Sequence, residues 1–111
     1  MELENKAREL SEMLVESEIY KRYTQAKANL KKDTDLSARV DEYRRRNFYI
    51  QNGTAENKMD ELRKLEGEYY ETLSNSAVKE FLDAELLLCR TIQKINDIIM
   101  DGIDFEVDFI S

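Results

Sequence analysis

The run SAVKEFLDAELLLCRTIQKINDIIMDG over residues 76–102 constrains this chain more than any other stretch. Val78, Phe81, Leu82, Leu88, Cys89, Ile92, Ile95 and Ile99 recur at steps of three and four, the spacing that stacks side chains on one face of a helix. Leu86, Leu87 and Ile98 widen the stripe, which predicts a long helix covered on more than one side. Ser76 is expected as the N-cap and Gly102 as a left-handed residue past the end. Cys89, beside the stripe, reads as a small buried hydrophobe.

What surrounds this helix must also be helical. The 111 residues contain no proline and three glycines, so little interrupts a helix. The length suits one domain spanning 1–111. Charged residues make up 37%, against about a quarter in an average domain, which narrows the apolar face each helix can offer. A small, thin core is marginal, and association with a second chain is the natural remedy.

In chain order, Leu3, Ala7, Leu10 and Leu14 mark a first helix over 2–16, with Met13 beside the stripe. Ser17 is expected to cap a second helix running to Lys32, with Ile19, Tyr23, Ala26 and Leu30 inward. The cap formers Asp33, Thr34 and Asp35 open a third, whose inner face is Leu36, Val40, Tyr43, Asn47 and Ile50. Phe48 and Tyr49 fall partly off that face; a broader buried face is expected, with a partner-facing aromatic patch as the alternative. Gln51-Asn52-Gly53-Thr54 reads as a break with Thr54 capping the next helix, or else as a weak point in one long helix. Ala55, Met59, Leu62, Leu65, Tyr69 and Leu73 then face inward in a fourth helix over 55–73, where Gly67 marks a close helix approach or nothing.

After Gly102 the period changes from helical to two: Ile103, Phe105, Val107 and Phe109 alternate with Asp104, Glu106 and Asp108. An extended tail is expected. Docking of Phe105 and Phe109, in a groove between helices or against the same tail of a second subunit, is favoured over a frayed end.

The chain lacks the residues most reactions need. Without histidine there is no Ser–His or Cys–His pair and no Glu-x-x-His metal motif. The three glycines lie too far apart for a phosphate-binding loop. One cysteine makes no internal disulfide and is too few for a four-cysteine cluster. Glu80, Asp83 and Glu85 read as surface acids. A non-enzyme with no metal and no cofactor is expected. Lacking a signal layout or a long apolar run, the chain is expected to be cytoplasmic and not inserted in a membrane.

A net charge of −7 argues against direct nucleic-acid binding. The charge is uneven, with nine basic and four acidic residues over 20–46 against three and eight over 76–111. Attraction between segments explains this; the sharper reading is a basic docking face of Lys27, Lys31, Arg44, Arg45 and Arg46. Candidate contact residues for a partner or second subunit are therefore Arg44, Arg45, Arg46, Phe48, Tyr49, Leu88, Ile92, Phe105 and Phe109.

Three strings, ARELSEMLVESEIYKRYTQAKANLKKD at 7–33, DLSARVDEYRRRNFYIQNG at 35–53 and NSAVKEFLDAELLLCRTIQKINDII at 75–99, resemble the bacterial YlbF/YmcA family and the related YheA proteins. Relatives usually show Asn-Pro where this chain has Asn75-Ser76. The resemblance implies an all-helical, self-associating regulator linked to competence, sporulation and biofilm formation, an adaptor of a membrane-attached RNA-decay endonuclease. Some members carry several cysteines tied to iron–sulfur binding, whereas Cys89 stands alone here. The expectation is an all-α bundle of four or five amphipathic helices, a homodimer or higher oligomer. As a non-catalytic adaptor it would bind a paralogue or an RNA-processing enzyme. The alternative is a structural or chaperone-like oligomer without a dedicated partner.

Overall fold

Six helices and no strand make up residues 1–54 and 56–103, which the computed structural model describes. They are α1 (Glu2–Val15), α2 (Glu18–Lys31), α3 (Thr34–Asn52), α4 (Lys58–Glu68), α5 (Tyr70–Ser74) and α6 (Ser76–Asp101). The extended tail expected beyond Ile103, and the inward position expected for Ala55, lie outside the described residues.

Local chemistry sets the boundaries. Ser17 Oγ accepts from the amide of Tyr20 at 3.2 Å, and Asp33 Oδ1 from that of Leu36 at 3.0 Å, satisfying donors the helix leaves free. The cap of α6 is Asn75 rather than Ser76: its Oδ1 accepts from Ala77 N at 2.9 Å and Val78 N at 3.3 Å. Ser76 occupies the first helical position, a place where proline is favoured. The break after Asn52 is real, but α4 starts at Lys58, so Thr54 caps nothing. Neither Gly53 nor Gly102 is left-handed: φ is −80° and −78°. The expected fourth helix is two, divided at Tyr69 and not at Gly67, where an added Cβ would meet no atom within 4 Å.

The helices α2 and α6 form the most extensive pair; α3 packs on α2 and α4 and reaches α6 through Arg44. Ala26, Leu30, Val40, Val78, Phe81 and Ala84 make the core, with Tyr23, Leu36, Leu73 and Leu82 against it. Tyr69 is buried against Tyr43, ring centroids 5.5 Å apart, and burial together with the charge of Glu66 raises the Tyr43 phenol pKa. All of this lies in one half of the molecule. The other half is an arm of two helices, α1 beside the second half of α6, in which no residue is buried.

The shape follows. A 26-residue helix is about 39 Å long, and among the described residues those of α1 line a cleft with its last three turns. The chain measures 47 × 38 × 17 Å with a radius of gyration of 18.1 Å, where a compact chain of this length would have about 13 Å.

Candidate interaction surface

Consecutive residues on a helix point about 100° apart, and this dismantles the basic face expected at Arg44–Arg46. Arg44 turns to α6, where it pairs with Glu85 and lies 5.3 Å from the Phe81 ring centroid. Arg46 turns to α4, bonding Glu68 at 2.6 Å and lying 5.7 Å from the Tyr69 ring. Arg45 points between them and makes no ion pair among the described residues. Lys27 sits over the Tyr23 ring at 5.9 Å. Attraction between segments thus uses two of the five charges, Arg44 and Arg46, inside the fold.

Two of the three acids taken as surface groups, Glu80 and Glu85, are partners in such pairs, while Asp83 is exposed as expected. Glu80 accepts two hydrogen bonds from Arg22, at 2.6 and 3.1 Å, tying α6 to α2. That bonding lowers the Glu80 carboxyl pKa and raises that of the Arg22 guanidinium. Glu68 is lowered in the same way by Arg46, whose own pKa rises. Arg39 Nε donates to Thr72 Oγ1 at 3.1 Å, satisfying the one buried polar side chain among the described residues.

Phe48 and Tyr49 do not extend a buried face. They are 62% and 67% exposed and stack edge to face, centroids 5.9 Å apart. Beneath them is an open cleft of about 500 Å³, floored by Leu82 and Glu85 and walled by Arg45, Phe48 and Asn52. Met59, expected inward, is 66% exposed.

The larger apolar surface is the arm. Between Leu3 and Val15 and between Ile92 and Ile103, nine large apolar side chains are at least a third exposed, and Leu86 and Leu87, just before the midpoint of α6, adjoin them. The first-helix stripe faces α6 without being buried by it: Leu3 is 71% exposed and Leu10 36%. Leu88 closes the core of its own chain, whereas Ile92, one turn on, opens onto a cleft of about 190 Å³ lined by Ala7, Leu10, Leu14 and Ile95. Cys89 is exposed, not a core residue, since it stands about 100° round the helix from Leu88. Phe105 and Phe109 lie outside the described residues. Spacing had placed Leu86, Leu87 and Ile98 on the edges of the stripe; Met100 had no such signal.

Among the described residues, no group of three metal-capable side chains is brought together, and no helix is long and apolar enough to cross a membrane. What the arrangement offers is surface.

No solved structure matches the chain. It is similar to a UPF0342 protein of Caldicellulosiruptor bescii, 28% identical over 103 residues that span 90% of this chain and 87% of that protein. Residues 3–104 match the family model described as control of competence regulator ComK, YlbF/YmcA. With that match covering nearly its whole length, this all-helical chain belongs to the YlbF/YmcA family.

Proposed function

We propose that the protein is a non-catalytic regulatory adaptor that works through protein–protein contacts, with the α1/α6 arm as its principal contact surface. The observation that carries this reading is the arm itself. Apolar patches of more than a few hundred Å² on a soluble chain mark interaction sites, and here both helices of a projecting element are apolar and unburied. The family's description as a control of competence regulator supports a regulatory role. A second copy is the first partner in this reading: two arms laid together make a four-helix arrangement that neither makes alone. A paralogue or an RNA-processing enzyme would use the same surface or the aromatic pair Phe48–Tyr49. The protein acts in the cytoplasm and does not bind nucleic acid directly: its net charge is −7, and Arg22, Arg44 and Arg46 of its basic stretch are paired with Glu80, Glu85 and Glu68.

The test is capture from native cytoplasm with the wild-type chain and an Ile98→Asp variant. Stoichiometric recovery of a partner by the wild type, lost in the variant, supports the adaptor. Recovery of the chain's own copies alone supports a structural oligomer instead.

A further inference from the structure

Three cations of the basic stretch are not used by the fold. Lys27, Lys31 and Arg45 are exposed and make no ion pair among the described residues, on a chain of net charge −7. They are not scattered. Lys27 and Lys31, one turn apart on α2, border a cleft of about 220 Å³ whose apolar lining is Tyr23, Leu30 and Phe81. Arg45 borders the cleft of about 500 Å³ under Phe48, and Arg44 lines both.

Helix α3 joins the two clefts. Ser37, Asp41, Arg44, Phe48 and Asn52 line them and recur at steps of three and four, so one face of α3 walls both. We infer that this trough takes an extended, acidic segment of a partner protein. Its carboxylates meet Lys27, Lys31 and Arg45, while its apolar side chains rest on Phe48 and Leu82. The inference rests on the adaptor reading and gives the partner a surface apart from the arm, which holds none of these residues.

Charge selects the occupant. The two linings hold Lys27, Lys31, Arg44 and Arg45 against Asp41 and Glu85, and Arg44 engages both acids. An anionic segment therefore finds three cations without displacing a native pair, whereas a basic one finds carboxylates already engaged. Tyrosine and arginine are among the residue types that dominate binding energy, and Tyr49, 67% exposed, borders the trough beside Arg45. From Ser37 to Asn52 the helix rises about 22 Å, the reach of about seven extended residues, whose alternate side chains face one way. A nucleic acid has the right sign of charge but no apolar alternation, and phosphates beyond the trough would meet a net-negative chain.

The test is selection of a random peptide library displayed on phage against the purified wild-type chain. Enriched peptides should carry Asp or Glu alternating with apolar residues, and their binding should weaken as salt is added. For the tightest of them, Lys31→Glu with Arg45→Glu should abolish binding, and Phe48→Ala should weaken it about tenfold. Arg45→Lys keeps the charge and should bind within a few-fold of wild type, which separates a lost contact from a lost fold. Ile98→Asp, on the arm, should bind as the wild type does. No binder, binders without an excess of acid, or binding indifferent to salt overturns the inference. Binding that survives the double charge reversal, or that Ile98→Asp removes, also overturns it and places the site elsewhere. Oligo-uridylate held at physiological salt and released by Arg45→Glu overturns it too, in favour of phosphate recognition. The assay needs no native partner, so failed capture from cytoplasm does not decide it, and its own failure leaves the arm as the adaptor's contact surface.

Discussion

The first three turns of α6 and its last three are alike in sequence and opposite in surroundings. Val78, Phe81, Ala84 and Leu88 recur at three- and four-residue steps, and so do Ile92, Ile95, Ile99 and Ile103. The first set is buried under α2 and α3; in the second, Ile95 is partly buried and Ile92, Ile99 and Ile103 are exposed, at 40%, 50% and 46%. The difference is supplied by neighbours. Beside the first set lie helices tied by Arg22–Glu80, Arg44–Glu85 and Arg39–Thr72. Beside the second, among the described residues, lies α1, whose ion pairs stay within its own helix. One half of α6 therefore holds the fold together, and the other presents what the fold does not use.

The sharpest way to break that comparison is to cut the same kind of side chain from each half. Phe81→Ala removes a ring that is 3% exposed and stacked on Tyr23 at 5.9 Å. It should cost about 3–5 kcal/mol in urea unfolding, a large share of a total of about 5–15 kcal/mol. Ile98→Ala, 66% exposed, should stay within about 0.5 kcal/mol for the isolated chain. Comparable losses at both positions would show that the arm is packed as tightly as the core.

The next effect is on assembly. Light scattering of the wild-type chain at micromolar concentration should give at least twice 13.1 kDa. Leu87→Asp with Ile98→Asp should bring it to 13.1 kDa while the unfolding midpoint moves little, because both side chains are exposed in the single chain. A wild-type monomer, or an oligomer indifferent to both charges, would remove the arm as the subunit contact.

How much of this was legible in the sequence depends on what each signal encodes. Periodicity encodes which side of a helix is apolar, and it placed Val40, Leu65, Val78 and Phe81 inward correctly. It does not encode whether a neighbour arrives, so Leu3, Met59 and Ile92 carry the same pattern and remain exposed. Composition over 20–46 showed an excess of basic charge, but the 100° step that separates Arg44, Arg45 and Arg46 onto three directions gives it three fates. The break at Tyr69 left no local mark: no glycine or proline stands there, and the ring is held between Arg39 and Arg46, 5.8 and 5.7 Å from its centroid. Capping was readable to within one residue. Asn75 and Ser76 are both good caps, and only backbone geometry chose between them.

That choice is testable at about 1 kcal/mol. Asn75 opens the half of α6 on which the core is built, so Asn75→Ala should lower stability by about that amount in denaturant unfolding. Ser76→Ala, at the first helical position and exposed, should change it by a few tenths at most. Equal costs would mean that the two residues share the cap.

The smallest expected effect is that of acid, and it again separates the halves. Glu68 and Glu80 have carboxyl pKa values lowered from the usual 4.5 by their bonds to Arg46 and Arg22. A carboxyl with a depressed folded-state pKa binds fewer protons in the native chain than in the unfolded one near that pKa, so stability rises with pH there. The contribution is complete above about pH 5 and is lost as pH falls through the lowered values. Both pairs are about half-exposed, so salt should weaken the effect. The melting temperature should therefore drop between pH 5 and pH 3, and Glu68→Gln with Glu80→Gln should start lower and drop less. Hydrogen exchange should show where the loosening falls: α2, α4 and the first half of α6 open faster in acid, while the arm, which holds neither pair, keeps its rates. Arm amides that accelerate together with the core would show that the two halves unfold as one unit.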